Sequence, residues 1–290
     1  MRYEIGQVNR LGNRSSNQDR FLAIETEEGI LLALGDGMGG QAQGEVAAEI
    51  LVEVARRCYL ETQRPIREVG SFLREVMLQA HQAINAFGRR QQPPTTPGTT
   101  GVLCLIQQDQ AVWAHVGDSR LYLYQQGLPI YRTTDHSYVE QLFQKGEISR
   151  WEQDLHPRRN QITQCLGARS EEPKVSISKP VSLKPEDIIL ICSDGLWGPL
   201  DDAVMGRMLL ADSSLEDSLD KMAETAEHSS YPHSDNISAM ALRFIASGPA
   251  LMPGQNKQQA GTVAAGGDQL ESAIAQIEQV LKEYEKEFKR

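Results

Sequence analysis

Apolar and polar residues alternate along this chain in two rhythms, one of period two and one of period near four. Tyr3–Val8 and Phe21–Glu25 alternate and predict half-exposed strands. Ile30–Leu34 is continuously apolar and predicts a strand buried on both faces. It is expected to end at Gly35-Asp36-Gly37-Met38-Gly39-Gly40, a run that favours no regular element. In Glu45–Leu60, Val46, Ile50 and Val54 recur at helical spacing. In Arg67–Phe87, Val69, Phe72, Leu73, Val76, Ala80 and Ile84 form a helical stripe.

A Pro/Thr/Gly loop, Gln91–Gly98, separates this helix pair from strands at Thr100–Gln107, Ala111–Val116 and Leu121–Tyr124. Ser137–Lys145 reads as a helix, and Glu147–Thr163 as a polar, irregular surface flap. Strands at Val175–Ser178 and Ile188–Cys192, helices at Asp201–Leu210 and Leu215–His228, and a strand at Ile237–Phe244 complete the pattern. Strand groups separated by helix pairs predict layered sheets with helices outside, not a βαβ array. No internal repeat is found.

The pattern changes after Phe244, dividing the chain into residues 1–245, a linker rich in Gly, Pro, Gln and Ala over Ala246–Gly267, and an amphipathic helix over Asp268–Arg290. Leu270, Ile274, Ile277, Leu281, Tyr284 and Phe288 are spaced as a heptad seam. Glu271, Glu278 and Glu285 flank it on one side, with Ala273, Val280 and Glu287 on the other, which disfavours self-pairing. The helix is expected to dock on a partner protein or on its own catalytic domain.

Composition narrows the function classes. The net charge is −10 and no Lys/Arg cluster appears, so a nucleic-acid partner is not expected. Met1–Asn13 has no apolar run, and no stretch approaches the roughly 20 apolar residues of a membrane span, so no membrane association and a cytoplasmic location are expected. Cys58, Cys104, Cys165 and Cys192 form no Cys-x-x-Cys pair and read as reduced thiols. No glycine-rich nucleotide-binding motif occurs.

The chemistry is carried by aspartates. Asp36, Asp118 and Asp194 each follow an apolar strand, and Asp19 and Asp235 each precede one; all stand next to or near Gly, Ser or Asn. One such residue makes an ordinary turn, whereas five can converge on one rim of a sandwich. Gly37 allows its own carbonyl to approach the same ion. All-oxygen ligation suits Mg²⁺ or Mn²⁺ and not zinc.

The ordered set Arg14…Asn17-Gln18-Asp19, Gly35-Asp36-Gly37-Met38-Gly39-Gly40, Gly98-Thr99-Thr100, Val116-Gly117-Asp118-Ser119-Arg120, Asp135-His136-Ser137, Ser193-Asp194-Gly195 and Ser234-Asp235-Asn236-Ile237 resembles the motifs of the protein phosphatase 2C (PPM) family, from about Tyr3 to Phe244. The resemblance implies an α+β fold: a four-layer α-β-β-α sandwich of two antiparallel sheets flanked by helix pairs. It implies that Asp36 bridges two Mg²⁺ or Mn²⁺ ions and that the Gly37 carbonyl completes the shell of one. Asp194 and Asp235 hold the other, Asp19 acts through waters, and Asp118 with Asp194 forms a third, weaker site. Arg14 would bind the substrate phosphate, its planar fork meeting two oxygens at once. The implied reaction is hydrolysis of phosphoserine or phosphothreonine in proteins by direct attack of a water bridging the two ions, opposing a Ser/Thr kinase.

Met38 stands where many eukaryotic members have a His proposed as the leaving-group acid, and Gln18 where they have Glu. His156 in the flap is one candidate acid, and a metal-bound water is its competitor. His81, His136 and Ser137 read as structural, and Trp113 and Trp197 as core. Two other readings stay open: a phosphatase dedicated to one regulator, such as an anti-sigma antagonist, and an inactive phosphoprotein-binding scaffold.

Overall fold

The structure is a computed structural model that describes residues 1–38, 43–168, 171–211 and 214–246. The expected helix Asp268–Arg290 and the linker beyond Ala246 lie outside the described residues.

In chain order the elements are β1 (Arg2–Arg10), β2 (Asp19–Glu25), β3 (Gly29–Met38), α1 (Gln43–Glu61), α2 (Val69–Arg90), β4 (Gly98–Thr99), β5 (Gly101–Gln107), β6 (Gln110–Val116), β7 (Arg120–Gln125), β8 (Leu128–Arg132), α3 (Tyr138–Gln144), α4 (Arg150–Leu155), β9 (Leu166–Gly167), β10 (Ser176–Ile177), β11 (Val181–Ser182), β12 (Ile188–Cys192), α5 (Asp194–Trp197), α6 (Asp202–Ala211), α7 (Leu215–Ser230) and β13 (Ile237–Ala246). One sheet runs β1-β13-β12-β7-β8. The other runs β10-β6-β5-β3-β4-β9, with β2 on β3 and β11 on β6. The pairings within both are antiparallel.

The apolar run of β3 shows why both faces must be buried. Ile30 and Leu32 point between the sheets, against Ile189, Ile191, Met240 and Leu242. Leu31 and Ala33 point outward under α1 and α2, against Leu51, Leu73 and Met77. On the opposite side, Leu190 and Ala241 pack beneath α5–α7 with Leu196, Met205, Leu219 and Met222. The resulting order is helices, sheet, sheet, helices, as expected for a four-layer α-β-β-α sandwich.

Three local expectations are corrected. The strand expected to stop at Leu34 continues through Gly35-Asp36-Gly37-Met38, because Asp19 pairs with Asp36, and Gly37 with Thr99. The last strand runs two residues past its expected end at Phe244, to Ala246, the first residue of the expected linker, where it still pairs with Arg2. The flap is not wholly irregular: Ser149 and Glu152 form a capping box that starts the short helix α4.

Candidate active site

One end of the sandwich gathers the aspartates from both sheets. Asp19 and Asp36 are cross-strand partners on β2 and β3. Asp118 lies on the crossing from β6 in one sheet to β7 in the other. Asp194 opens α5 directly after β12, and Asp235 lies just before β13. The two sheets are tied together here: the Ser193 hydroxyl donates to Asp19 Oδ2 at 2.7 Å. The Asp36 N–H donates to Thr100 Oγ1 at 3.0 Å, and that hydroxyl lies 2.7 Å from Ser119 Oγ, the neighbour of Asp118.

Two glycines permit the close approach. A Cβ on Gly195 would sit 2.1 Å from the Asn236 carbonyl oxygen, so a side chain there would push Asp194 away from Asp235. A Cβ on Gly37 would sit 2.1 Å from the Gly44 carbonyl oxygen at the start of α1.

The gathered carboxylates oppose one another's ionisation. Burial pushes Asp36 well above the ordinary carboxyl range, and the charges of Asp19, Asp194, Asp118 and Asp235 push it further. Asp194 is raised in the same way, by burial and then by Asp118, Asp235 and Asp19, against a lowering by Arg14. Burial lifts Asp19 to about 6 although the Ser193 hydroxyl favours its charged form. Burial and the neighbouring Asp135 lift Asp118 to about 7. Such a cluster is unfavourable without a counter-charge, and its donors are all oxygens, so hard divalent cations fit it. Among the described residues, no group of three or more His, Cys, Asp or Glu side chains closes around a point as a metal cage. Asp235 is turned to Arg14, whose Nη2 lies 2.6 Å from its Oδ2. Water and backbone carbonyl would therefore have to complete each shell, which is how Mg²⁺ is commonly held.

The Arg14 loop is sewn to the segment before β13. Asn13 donates from its backbone to the Ser234 carbonyl at 3.1 Å and from Nδ2 to the Pro232 carbonyl at 2.6 Å. Asn236 donates from Nδ2 to the carbonyls of Leu11 and Ser16 at 2.8 and 3.0 Å, and its Oδ1 accepts from the Gln18 N–H at 2.9 Å. Asn236 and Ser193 carry the site's geometry without being singled out in the sequence. Their signal was their position beside Asp235 and Asp194.

A cleft of about 440 Å³ opens beside the carboxylates. Asp118, Asp194 and Asp235 form one side, and Asp154, Arg159 and Asn160 of the flap form another. His156 is not among its lining residues. It caps the C-terminus of α4, its Nδ1 accepts from the Arg158 N–H at 3.1 Å, and its ring faces Tyr138. The imidazole bordering the cleft is that of His233.

The sequence pattern of the family described as protein phosphatase 2C matches residues 7–240. The chain belongs to the protein phosphatase 2C family. The serine/threonine phosphatase stp of Listeria monocytogenes is 32% identical over 233 residues, which cover 79% of this chain and 90% of that protein. The S. agalactiae serine/threonine phosphatase has a similar structure, with a TM-score of 0.77 at 28% identity over 83% of this chain and 99% of that one. The catalytic domain of the serine threonine protein phosphatase PstP, solved in complex with 2 manganese ions, gives a TM-score of 0.70 at 25% identity, covering 84% of this chain and 98% of that one.

In this protein phosphatase 2C chain the residues around the carboxylates are largely structural. The His136 Nδ1 accepts from the Gly117 N–H at 3.2 Å, and its ring stacks on His115 at 4.7 Å, which fixes the turn before Asp118. Burial and His115 lower His136 to about 4, so it is neutral near pH 7. Ser137 caps α3 by accepting from the Glu140 N–H. His81 is buried and accepts from the Gly167 N–H at 3.1 Å. Trp113 is core, and Trp197 packs half-buried against the core and also borders the cleft, with Arg120 stacked 3.4 Å over its ring. Arg120 is held in place by a two-pronged pair with Asp135 at 2.8 and 2.6 Å.

Proposed function

We infer that this serine/threonine protein phosphatase is held in its active form by Mg²⁺ or Mn²⁺ at the aspartate cluster. The observation that carries the reading is the convergence of five aspartates from both sheets, four of them pushed toward the protonated form by burial and, in the main, by one another. Asp36, central to this mutual repulsion, would lie between two ions, with the Gly37 carbonyl on one and Asp194 and Asp235 on the other. Asp19 would act through waters, and Asp118 with Asp194 would hold a third, weaker ion. The two manganese ions of PstP support this assignment. When bound, a pair of such ions lowers the pKa of a shared water towards neutrality and offsets phosphoryl charge.

The chain's own groups do the rest. Arg14 lies at the mouth of the cluster, half-exposed, and exchanges its contact with Asp235 for the substrate phosphate. The loop bonds through Asn13 and Asn236 hold it there, so little ordering is left to be done when phosphate arrives. The flap and Trp197 wall the cleft and limit access of bulk water to the reacting phosphate. Phosphorylated Ser and Thr residues of proteins are the substrates, and opposition to a Ser/Thr kinase in the cytoplasm completes the proposal. Cys58, Cys104, Cys165 and Cys192 are thiols outside any disulfide, which agrees with a reducing compartment. No helix among the described residues is long and apolar enough to cross a membrane.

The test is hydrolysis of an aryl phosphate and of a phosphothreonine peptide with Mn²⁺, with a chelator as control. Asp36→Asn should abolish both activities, whereas Asp118→Asn should lower them and leave two ions bound by calorimetry. An Asp36→Asn protein that keeps more than a few per cent of activity at saturating Mn²⁺ sinks the assignment.

A further inference from the structure

Strand β2 sends neighbouring side chains to opposite faces of its sheet. Phe21 and Ala23 pack between the sheets, and Leu22 and Ile24 pack on the helix side. By the same alternation Asp19 turns to the cluster, and Arg20 lies beneath α1. The guanidinium of Arg20 is fully engaged there. Its Nε donates to Glu49 Oε2 at 2.9 Å, and its Nη2 donates to Glu45, one turn earlier on the helix. Its Nη1 donates to the carbonyls of Asn17 and Asp19 at 3.0 and 2.7 Å. The side chains of Arg20, Glu45 and Glu49 are 16%, 17% and 20% exposed, so these pairs escape most of the screening that makes surface pairs weak.

The fold does not need this clamp to hold α1 in place. Ala47, Ile50, Leu51, Val54 and Ala55 already bury that helix in the core. Taken alone, Glu45 and Glu49 are unfavourable, because like charges four apart on a helix repel. The clamp sits instead at the end of α1 that touches the site. A Cβ on Gly44, next to Glu45, would lie 2.6 Å from the Gly37 carbonyl carbon, so the first turn of α1 rests directly on the Gly37–Met38 peptide. The Gly37 N–H donates to the Gln18 carbonyl at 3.2 Å, within the Asn17–Asp19 stretch that Arg20 holds. Arg20 thus ties together the two groups that set the peptides on either side of Gly37.

We propose that Arg20 is a positioning residue for the cation site, acting with Glu45 and Glu49 to fix the Gly37 carbonyl and the Asp19 backbone against one another. This role presupposes the reading of the aspartate cluster as a Mg²⁺ or Mn²⁺ site. None of the hydrogen bonds of Arg20 reaches a carboxylate of the cluster, so it acts on the donors and not on the ion. A planar fork suits the task, since it meets two carboxylates and two carbonyls from one place; a lysine ammonium is a point charge with three donors. Removing a group that orients metal ligands weakens metal binding by roughly 10–100-fold.

The full chain, stripped of metal, is titrated with Mn²⁺ by calorimetry at a temperature where circular dichroism shows each variant folded. Arg20→Ala should bind Mn²⁺ about 10–100-fold more weakly than the parent. Arg20→Lys and Glu45→Gln/Glu49→Gln should fall between the two, since each keeps part of the clamp. Arg56→Gln removes a pair with Glu53 farther along α1 and should bind as the parent does. Half-maximal hydrolysis of an aryl phosphate should require correspondingly more Mn²⁺ in the Arg20 variants, while kcat and substrate KM at saturating Mn²⁺ stay within a few-fold of the parent. A folded Arg20→Ala protein that binds Mn²⁺ as tightly as the parent, even one that melts earlier, overturns the role and leaves the clamp as a staple of the fold. A loss of turnover that excess Mn²⁺ does not restore also overturns it. Should Arg20→Ala fail to fold, the Lys and Gln variants decide by the same criteria. A parent that binds no Mn²⁺ defeats instead the reading of the cluster.

Discussion

Replacing Asn236 tests whether the Arg14 loop is held as described. The side chain is nearly buried and makes three hydrogen bonds to the loop: to the carbonyls of Leu11 and Ser16, and from the Gln18 N–H. Alanine removes all three. Its own backbone bond to Asp235 Oδ1 at 2.8 Å survives. Each bond contributes about 1 kcal/mol net, and a stranded buried partner costs more. Leu11 and Ser16 belong to exposed stretches of the loop, where water can replace the lost donor. The lower figure therefore applies to those two, and the total is about 3 kcal/mol. Urea unfolding at saturating Mn²⁺ should show this loss as a shift of midpoint with an unchanged slope. The KM for an aryl phosphate should rise, because the loop carries Arg14. Asn236→Asp should be worse than alanine, since a carboxylate would face two carbonyl oxygens beside Asp235. A loss below about 1 kcal/mol for Asn236→Ala, or an Asp variant as stable as the Ala variant, refutes the account.

Arg14→Ala should raise KM severalfold and leave Mn²⁺ affinity within a few-fold, or tighten it by freeing Asp235; a large loss of metal binding in a folded variant would make Arg14 structural. Asp118 has its folded pKa raised from 3.8 to about 7, so between these values the native state holds a proton that the unfolded chain has lost, and stability falls as pH rises. In chelated protein, Asp118→Asn should therefore stabilise by up to about 4 kcal/mol at pH 8 and by much less at pH 4, and an equal effect at both pH values in thermal melts contradicts the shift. His156→Ala should slow an alkyl phosphopeptide and an aryl phosphate equally, because the ring lies off the cleft; selective loss on the peptide would restore it as the leaving-group acid.

The layers were legible because each sheet is buried on two faces. Runs such as Ile30–Leu34 and Ile188–Cys192 have no other stable use, and the helical stripes of α1 and α2 are wide. The aspartates were legible through their places beside apolar strand runs and next to turn-forming residues. Less visible was what depends on contacts distant in sequence. Strand β3 extends through Gly35–Met38 because Asp19 and Thr99 supply partners, and no local signal reports them. Helix α4 has no apolar stripe to announce it, although Ser149-Arg150-Trp151-Glu152 fits the capping-box pattern and could have been read. Strand β8 escaped notice because, as an edge strand with exposed Leu128, Ile130 and Tyr131, it lacks the alternation that a half-buried strand shows. His156 was named as one candidate acid for lying in the flap, but flap membership fixes neither the direction of a ring nor its partners. His233 was passed over in the stretch before Asp235.

The Ser193–Asp19 bond gives the cluster a mechanical meaning besides its chemical one. Asp19 and Asp36 belong to one sheet, Asp194 and Asp235 flank strands of the other, and Asp118 lies on the strap between them. A cation shared across that seam would act as a rivet through the open end of the sandwich. By reciprocity, whatever the rivet gives to the docking of the sheets, the docking gives back to the rivet. Cation affinity would then report the fit of side chains such as Met240 and Ile191, which lie in the seam and never touch an ion. Sequence drift in that greasy interior could retune the enzyme's metal requirement while every aspartate stayed in place.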